Sequence, residues 1–301
     1  MVLLLQENCS HFRILQIHIQ WSWMYCTNLD NGSEIGHTLF HSGFLKLLTV
    51  TLLTSLTQSC ETDLKTIIKI FRQTNGFSAS NRMLVWITND KTVAPGGGHN
   101  FGYGTQDRHS QVSVSAIVTN PIVAKWIFVA EVAELLMSYQ NYIQHKKETD
   151  QGYWNSGNSM GKALSLYLAE LLYPGIDDGI SAWLNDRSIS VQTSSGIVHE
   201  RVNWISATDG YDSHAVSYGC GLLFLYWLVT VKHFAIEDII AHSWNTFAQL
   251  YQNLTGGLDG WQQFHDAVNI LYPVSATPNF VWNGSNNIFL LKALPKSHLT
   301  K

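Results

Sequence analysis

Two glutamates, Glu131 and Glu134, stand one helical turn apart in a segment that is otherwise almost wholly apolar from Trp126 to Met137. Residues three apart on a helix share a face, so both carboxylates can act on one reacting group or one ion. A carboxylate in apolar surroundings can serve as a general base or acid, or donate oxygen to a metal. His214 and Asp209, in the segment TDGYDSHAVSYGCG, offer an imidazole with an acidic neighbour. His99 and His109 stand in and just beyond a glycine-rich stretch, and with Glu131 and Glu134 they make an alternative metal-ligand set. Lys162 is the unusual cation. It falls in the first turn of a helix starting at Ser159, where a positive charge opposes the helix dipole by typically about 0.3–1 kcal/mol. Ser159 reads as the N-cap, and a capping box calls for an acid three residues later, not a lysine. Nearby negative charge must compensate, and Glu131 and Glu134 are the expected partners.

Plainer readings stand beside these. Glu131, Glu134, Ser138, Asn141 and His145 form one stripe at helical spacing that could simply face water, and Lys162 could be a solvated surface lysine. His37 and His41 lie at i and i+4 but have no glutamate between them, and His199-Glu200 has no identifiable partner. The stretch PGGGHNFGYG lacks the frame of a phosphate cradle, and no G-x-S-x-G elbow occurs.

The elements that must position these residues follow from periodicity. Leu52, Leu53, Leu56, Cys60, Leu64, Ile67, Ile68 and Phe71 recur at three and four, a helix ending near Gly76. MLVWIT at 83–88 and QVSVSAIVT at 111–119 read as strands, with the glycine-rich 95–104 as a loop between them. Asn120-Pro121 opens the long glutamate-bearing helix, which runs to about Tyr142. Further helices are expected from Ser159 to before Pro174, at 216–231, 236–244, 246–253 (capped by Asn245) and 261–271. A hairpin is expected within 189–204 and a strand at 287–291. Strands first and helices after imply a segregated α+β domain over residues 51–301. Its small antiparallel sheet, in the N-terminal half, packs on a mostly helical body. Residues 1–50 read as an extension.

Composition bounds the function. Of 301 residues only 13% are Asp, Glu, Lys or Arg, about half the roughly 25% of an average soluble protein. Hydrophobic residues make up 46%, which excludes disorder. A net charge of −4 without basic clusters argues against a nucleic-acid partner. The most apolar runs, 44–56 and 219–231, fall short of the roughly 20 residues a membrane span needs. The opening MVLLLQENCS lacks the basic region of a secretory signal, although 44–56 would serve as a signal core behind a later start. Sequons at Asn8, Asn31, Asn253 and Asn283 lean toward an extracellular location. The cysteines (Cys9, Cys26, Cys60, Cys220) have no metal spacing. The 11 Trp, 12 Tyr and 13 Phe either fill a core or, as a competing reading, serve a secreted carbohydrate- or protein-binding module. Trp126, Trp183, Trp227 and Trp244 fall on apolar faces and are expected in the core.

The order strand, glycine loop, strand, long helix, with SMGKALSLYLAELLYP opening the next helix, resembles the gluzincin metallopeptidases, especially the thermolysin-like group. The resemblance spans roughly residues 83–231. In that family an H-E-x-x-H helix binds zinc, and an N-E-x-x-S segment on the following helix supplies a third ligand. The resemblance puts Glu131 at the general base and Ala130 and Glu134 at the two histidines. Aligning Ser165 puts Lys162 at the third ligand, 28 residues beyond Glu134. It likewise implies His214 as the transition-state histidine and Asp209 as its acidic neighbour. All three zinc ligands are thus replaced. The expectation is a zincin-like, non-catalytic domain without a cofactor, keeping a cleft that binds an extended peptide or protein by strand addition. The alternative is a zinc-dependent hydrolase using the rearranged set with His99 and His109.

Overall fold

The structure is a computed structural model that describes residues 15–20, 35–72, 83–88, 98–101, 111–115, 118–145, 154, 157–177, 179–276 and 279–282. Its first half alternates strands β1 (Leu15–Gln20), β2 (Met83–Thr88), β3 (Gly98–Phe101) and β4 (Gln111–Ser115) with helices α1 (Ile35–Ile70) and α2 (Pro121–His145). The second half holds α3 (Ser159–Leu172), α4 (Gly179–Asn185), the hairpin β5 (Ile189–Thr193) and β6 (Gly196–Glu200), then α5 (Ala215–Thr230), α6 (Ile236–Ala241), α7 (Phe247–Thr255) and α8 (Gly260–Leu271). The architecture is α+β and mostly helical.

The N-terminal sheet differs from the antiparallel one expected. Its order is β1-β2-β4-β3, with β1 and β4 parallel to β2 and only β3 antiparallel to its neighbour β4. Parallel neighbours need a long crossover, and α1 supplies it between β1 and β2. The antiparallel two-stranded sheet is instead the β5–β6 hairpin. β3 lies inside the stretch expected to be a loop. Its backbone ladder to β4, from Gly98 opposite Val114 to Phe101 opposite Gln111, needs no side-chain pattern to form. The boundary expected at residue 50 falls inside α1, and the strand expected at 287–291 lies outside the described residues.

α2 packs against α1, α3, β3 and β4, and α5 packs against α3 and α4. Val112, Ser113, Val114 and Ser115 are all buried, so β4 is covered on both faces. α2 starts as its sequence signals: Asn120 Oδ1 accepts from the Ile122 N–H at 2.9 Å, and Pro121 is the first helical residue. Trp183 and Trp227 are in the core, whereas Trp244 is 40% exposed, contrary to its expected burial. Trp244 falls past the end of α6, in the short connection to α7, where no helical face carries it inward. Among the described residues no helix is long and apolar enough to cross a membrane.

The α4–α5 contact depends on a glycine. A Cβ built on Gly219 would lie 1.9 Å from the Gly179 carbonyl oxygen, a backbone atom that cannot swing aside. Gly219→Ala is therefore expected to lower stability by about 1–3 kcal/mol, the usual cost of overpacking. Gly210→Ala, whose new methyl meets nothing within 4 Å, should change it by less than about 0.5 kcal/mol. Urea denaturation of both variants checks this; equal losses would show that the contact is not the constraint.

Candidate functional site

The site forms where α2 meets α3. α2 is buried all round from Ile127 to Met137, and its two glutamates are buried with it: Glu131 is 4% and Glu134 8% exposed. The solvent-facing stripe that these positions permit is not what the fold adopts. The neighbouring α3 begins at Ser159, but its N-cap is Asn158, not the serine. Asn158 Oδ1 accepts from the Met160 and Gly161 N–H groups, both at 3.0 Å. Ser159 is engaged elsewhere: its N–H donates to the Asp209 carbonyl at 3.0 Å, and its Oγ accepts from the Asp209 N–H at 2.9 Å. The loop carrying Asp209 is thereby tied to the start of α3.

Lys162 then projects from the first turn of α3 onto α2. Its Nζ lies 3.2 Å from Glu134 Oε1, the pairing expected from its unfavourable place in the helix. Ser165, one turn later, donates its hydroxyl to the same Oε1 at 3.0 Å, with the Lys162 carbonyl also 3.0 Å away. Burial lowers the Lys162 pKa, but Glu134, Glu131 and Asp212 raise it more, so it ends above the ordinary lysine value and the ammonium is charged. Burial pushes the Glu134 carboxyl up, and Lys162 and Ser165 oppose this only in part.

Beside the pair lies a cavity of about 150 Å³ whose lining includes Trp126, Ala130, Glu131, Lys162, Asp177 and Tyr218. Sequence reasoning had not singled out Trp126, Asp177 or Tyr218 for this site. Tyr218 comes from the first turn of α5, one turn beyond His214, and Asp177 from the loop before α4, where its Oδ1 accepts from the Gly179 N–H. That loop is organised by Glu170, another residue the sequence did not flag. Its buried carboxylate accepts from the N–H groups of Gly175, Ile176 and Asp177 (2.6, 2.9 and 2.7 Å) and from Trp126 Nε1 (3.0 Å). No spacing rule marks such a residue, because its partners are backbone groups created by the fold.

The structure thus brings Glu131, Glu134 and Lys162 together. Asp209 and His214 form a separate pair, with Nδ1 donating to Oδ2 at 2.6 Å, next to the N-terminus of α3. Burial acts to raise the Asp209 pKa, but the hydrogen bonds from His214 and the Tyr211 N–H outweigh it and hold the carboxyl below its usual value. His99 lies on β3, opposite Ser113 across the ladder, and His109 lies outside the described residues. Among the described residues no three His, Cys, Asp or Glu side chains converge as a metal-binding group. No family model, curated protein or solved structure matches the chain.

Lys162→Met removes the cation that holds down the Glu134 pKa and leaves a carboxylate in an apolar seam, at an expected cost of about 3–5 kcal/mol near neutral pH. The sign with pH is fixed. A raised folded-state carboxyl pKa contributes stability below the unfolded value of about 4.5, and that contribution is lost as pH rises through the folded value. Removing Lys162 raises the folded value further. The deficit relative to wild type should be small near pH 4 and grow toward neutrality. Denaturation midpoints across that range test it, and a pH-independent deficit would contradict the assignment.

Proposed function

We propose that this chain is a metallopeptidase-like domain that binds an extended peptide and does not cleave it. The observation that carries the reading is the Lys162 ammonium, 3.2 Å from Glu134 and sharing a cavity with Glu131, at the position where the resemblance calls for a third metal ligand. The three positions suit zinc poorly. Ala130 has no donor atom, Lys162 is cationic, and Glu134 already accepts from an ammonium and a hydroxyl. Glu131 then keeps the place of a general base but has no metal-bound water to deprotonate.

The peptide part of the reading rests on the sheet. Among the described residues β3 is the edge strand, paired with β4 alone, and it packs against α2, the helix that carries the glutamates. An edge strand beside the site helix can extend its ladder with an added segment, main chain to main chain. The rival metal-dependent hydrolase draws on the same packing, since β3 carries His99.

Two measurements separate these readings. Metal analysis of the purified, dialysed chain should find no stoichiometric zinc, and peptide mixtures incubated with it should be recovered intact. Hydrogen exchange with bound peptide should slow at the amides of residues 98–101. Stoichiometric zinc that is lost in Glu131→Gln or Glu134→Ala, or metal-dependent cleavage, would establish the hydrolase instead. The triple variant Ala130→His, Glu134→His, Lys162→Glu should acquire one zinc per chain if the α2–α3 geometry is that of a zincin. A folded triple variant without zinc would remove the family relation.

A further inference from the structure

We infer that the cavity between α2, α3 and α5 is a binding site for an alkylammonium group, such as a lysine side chain or another small primary amine. The walls make the argument. Trp126 and Tyr218 both line the cavity, and indole and phenol rings attract cations through their quadrupoles, most strongly where water is excluded. Glu131 and Asp177 line it as well, and Glu134 stands directly behind Lys162. Two of the walls are thus carboxyl groups, Glu131 and Asp177, and the one cationic wall, Lys162, is already balanced by Glu134 across the α2–α3 seam. Glu131 already favours the charged form of Lys162 beside it, and an added ammonium would draw on the same carboxyl group. Ile127, Ala130 and Leu166 supply an apolar wall for an alkyl chain.

Size agrees with this class of ligand. A cavity of about 150 Å³ is comparable to the apolar cavity that accepts benzene, so it has room for a short alkyl chain and its ammonium head. The opposite choice, an anion drawn by Lys162, must compete with Glu134, which already holds that ammonium at 3.2 Å. The inference stands on the charge and walls of the cavity. It does not require the peptidase-like reading, whose zinc and exchange tests can fail or succeed separately.

The test is a titration of the full chain with n-butylammonium, followed by amide and indole chemical shifts. 1-Butanol and butyrate serve as the neutral and anionic counterparts of the same length. Saturable shifts of the Trp126 indole and of amides around 130, 162 and 218 are expected with n-butylammonium, and much weaker ones with the other two. Glu131→Gln should weaken binding roughly tenfold by removing one charge-assisted contact. Ala130→Leu, which fills the cavity with apolar side chain, should abolish binding without unfolding the protein, as its shift dispersion will show. Equal binding of 1-butanol would make this a plain apolar cavity, and preference for butyrate would make Lys162 an anion site. Either result overturns the inference, as does the absence of saturable shifts with n-butylammonium.

Discussion

The seam between α2 and α3 is governed by one cost, that of holding Glu134 and Lys162 out of water. Taking two ions from water costs several kcal/mol each, and the attraction between them returns this only if their remaining hydrogen-bonding capacity is met. Here Ser165 and Lys162 both serve the same Glu134 oxygen, so α3 must present those two residues, one turn apart, to a single point on α2. That requirement constrains the rotation of α3 about its axis, together with the burial of nearly every other residue of the helix. It also explains why the first turn of α3 tolerates a cation: the penalty against the helix dipole is small beside the coupling to a buried carboxylate.

Glu170 solves the same problem differently. Its carboxylate is 1% exposed, yet it is held by four N–H groups, three from the 175–177 backbone and one from Trp126. Backbone dipoles fixed by a turn stabilise the carboxylate, with no ion pair to it among the described residues. The consequence reaches the site, because the same turn places Asp177, and the Trp126 indole is held by the bond it donates. Arg201, 4% exposed, is the cationic counterpart. Its guanidinium donates to Asn269 Oδ1 and the Tyr272 carbonyl and lies over the Trp183 and Tyr272 rings, and burial followed by Arg187 lowers its pKa to about 10. It ties the end of β6 to α8, away from the α2–α3 seam.

Helix positions were legible where an apolar period met a clear stop or start. α2 opens at Asn120-Pro121, where the cap residue bonds as its type signals, and α5 spans nearly the stretch expected because the uncharged apolar run 219–231 forms a buried helix. The side of α2 that faces inward was not legible. A segment such as 126–137, apolar on every side except two glutamates, gives no moment strong enough to say whether the glutamates face water or another helix. Burial was decided by the neighbours α1, β4 and α3, which no local window contains. β1 and the direction of the sheet were missed for a related reason: parallel pairing is fixed by crossovers such as α1, not by strand composition. The Glu134–Lys162 contact was expected from one local conflict, a lysine set against the helix dipole in the first turn of α3; the capping-box part of that expectation fails, because the cap is Asn158 and its box position is Gly161. Asp177, Tyr218 and Glu170 generate no such conflict and emerged only from the fold.

A chain with 13% charged residues has few ions to place, and most of its helical surface is spent on packing. In such a chain, converging buried charges need a physical reason. Stability alone is a poor one, since hydrophobic residues of similar volume often replace buried ion pairs at no loss. A cavity with an aromatic and apolar lining would be simpler to build than one that also exposes Glu131, Lys162 and Asp177 to the same space. The proposed ammonium site gives these charges a use beyond the packing contacts they make in the fold. A bound cation would add a charge-assisted contact to the Glu131 and Asp177 carboxyl groups and a quadrupole contact to the Trp126 and Tyr218 rings that line the same space.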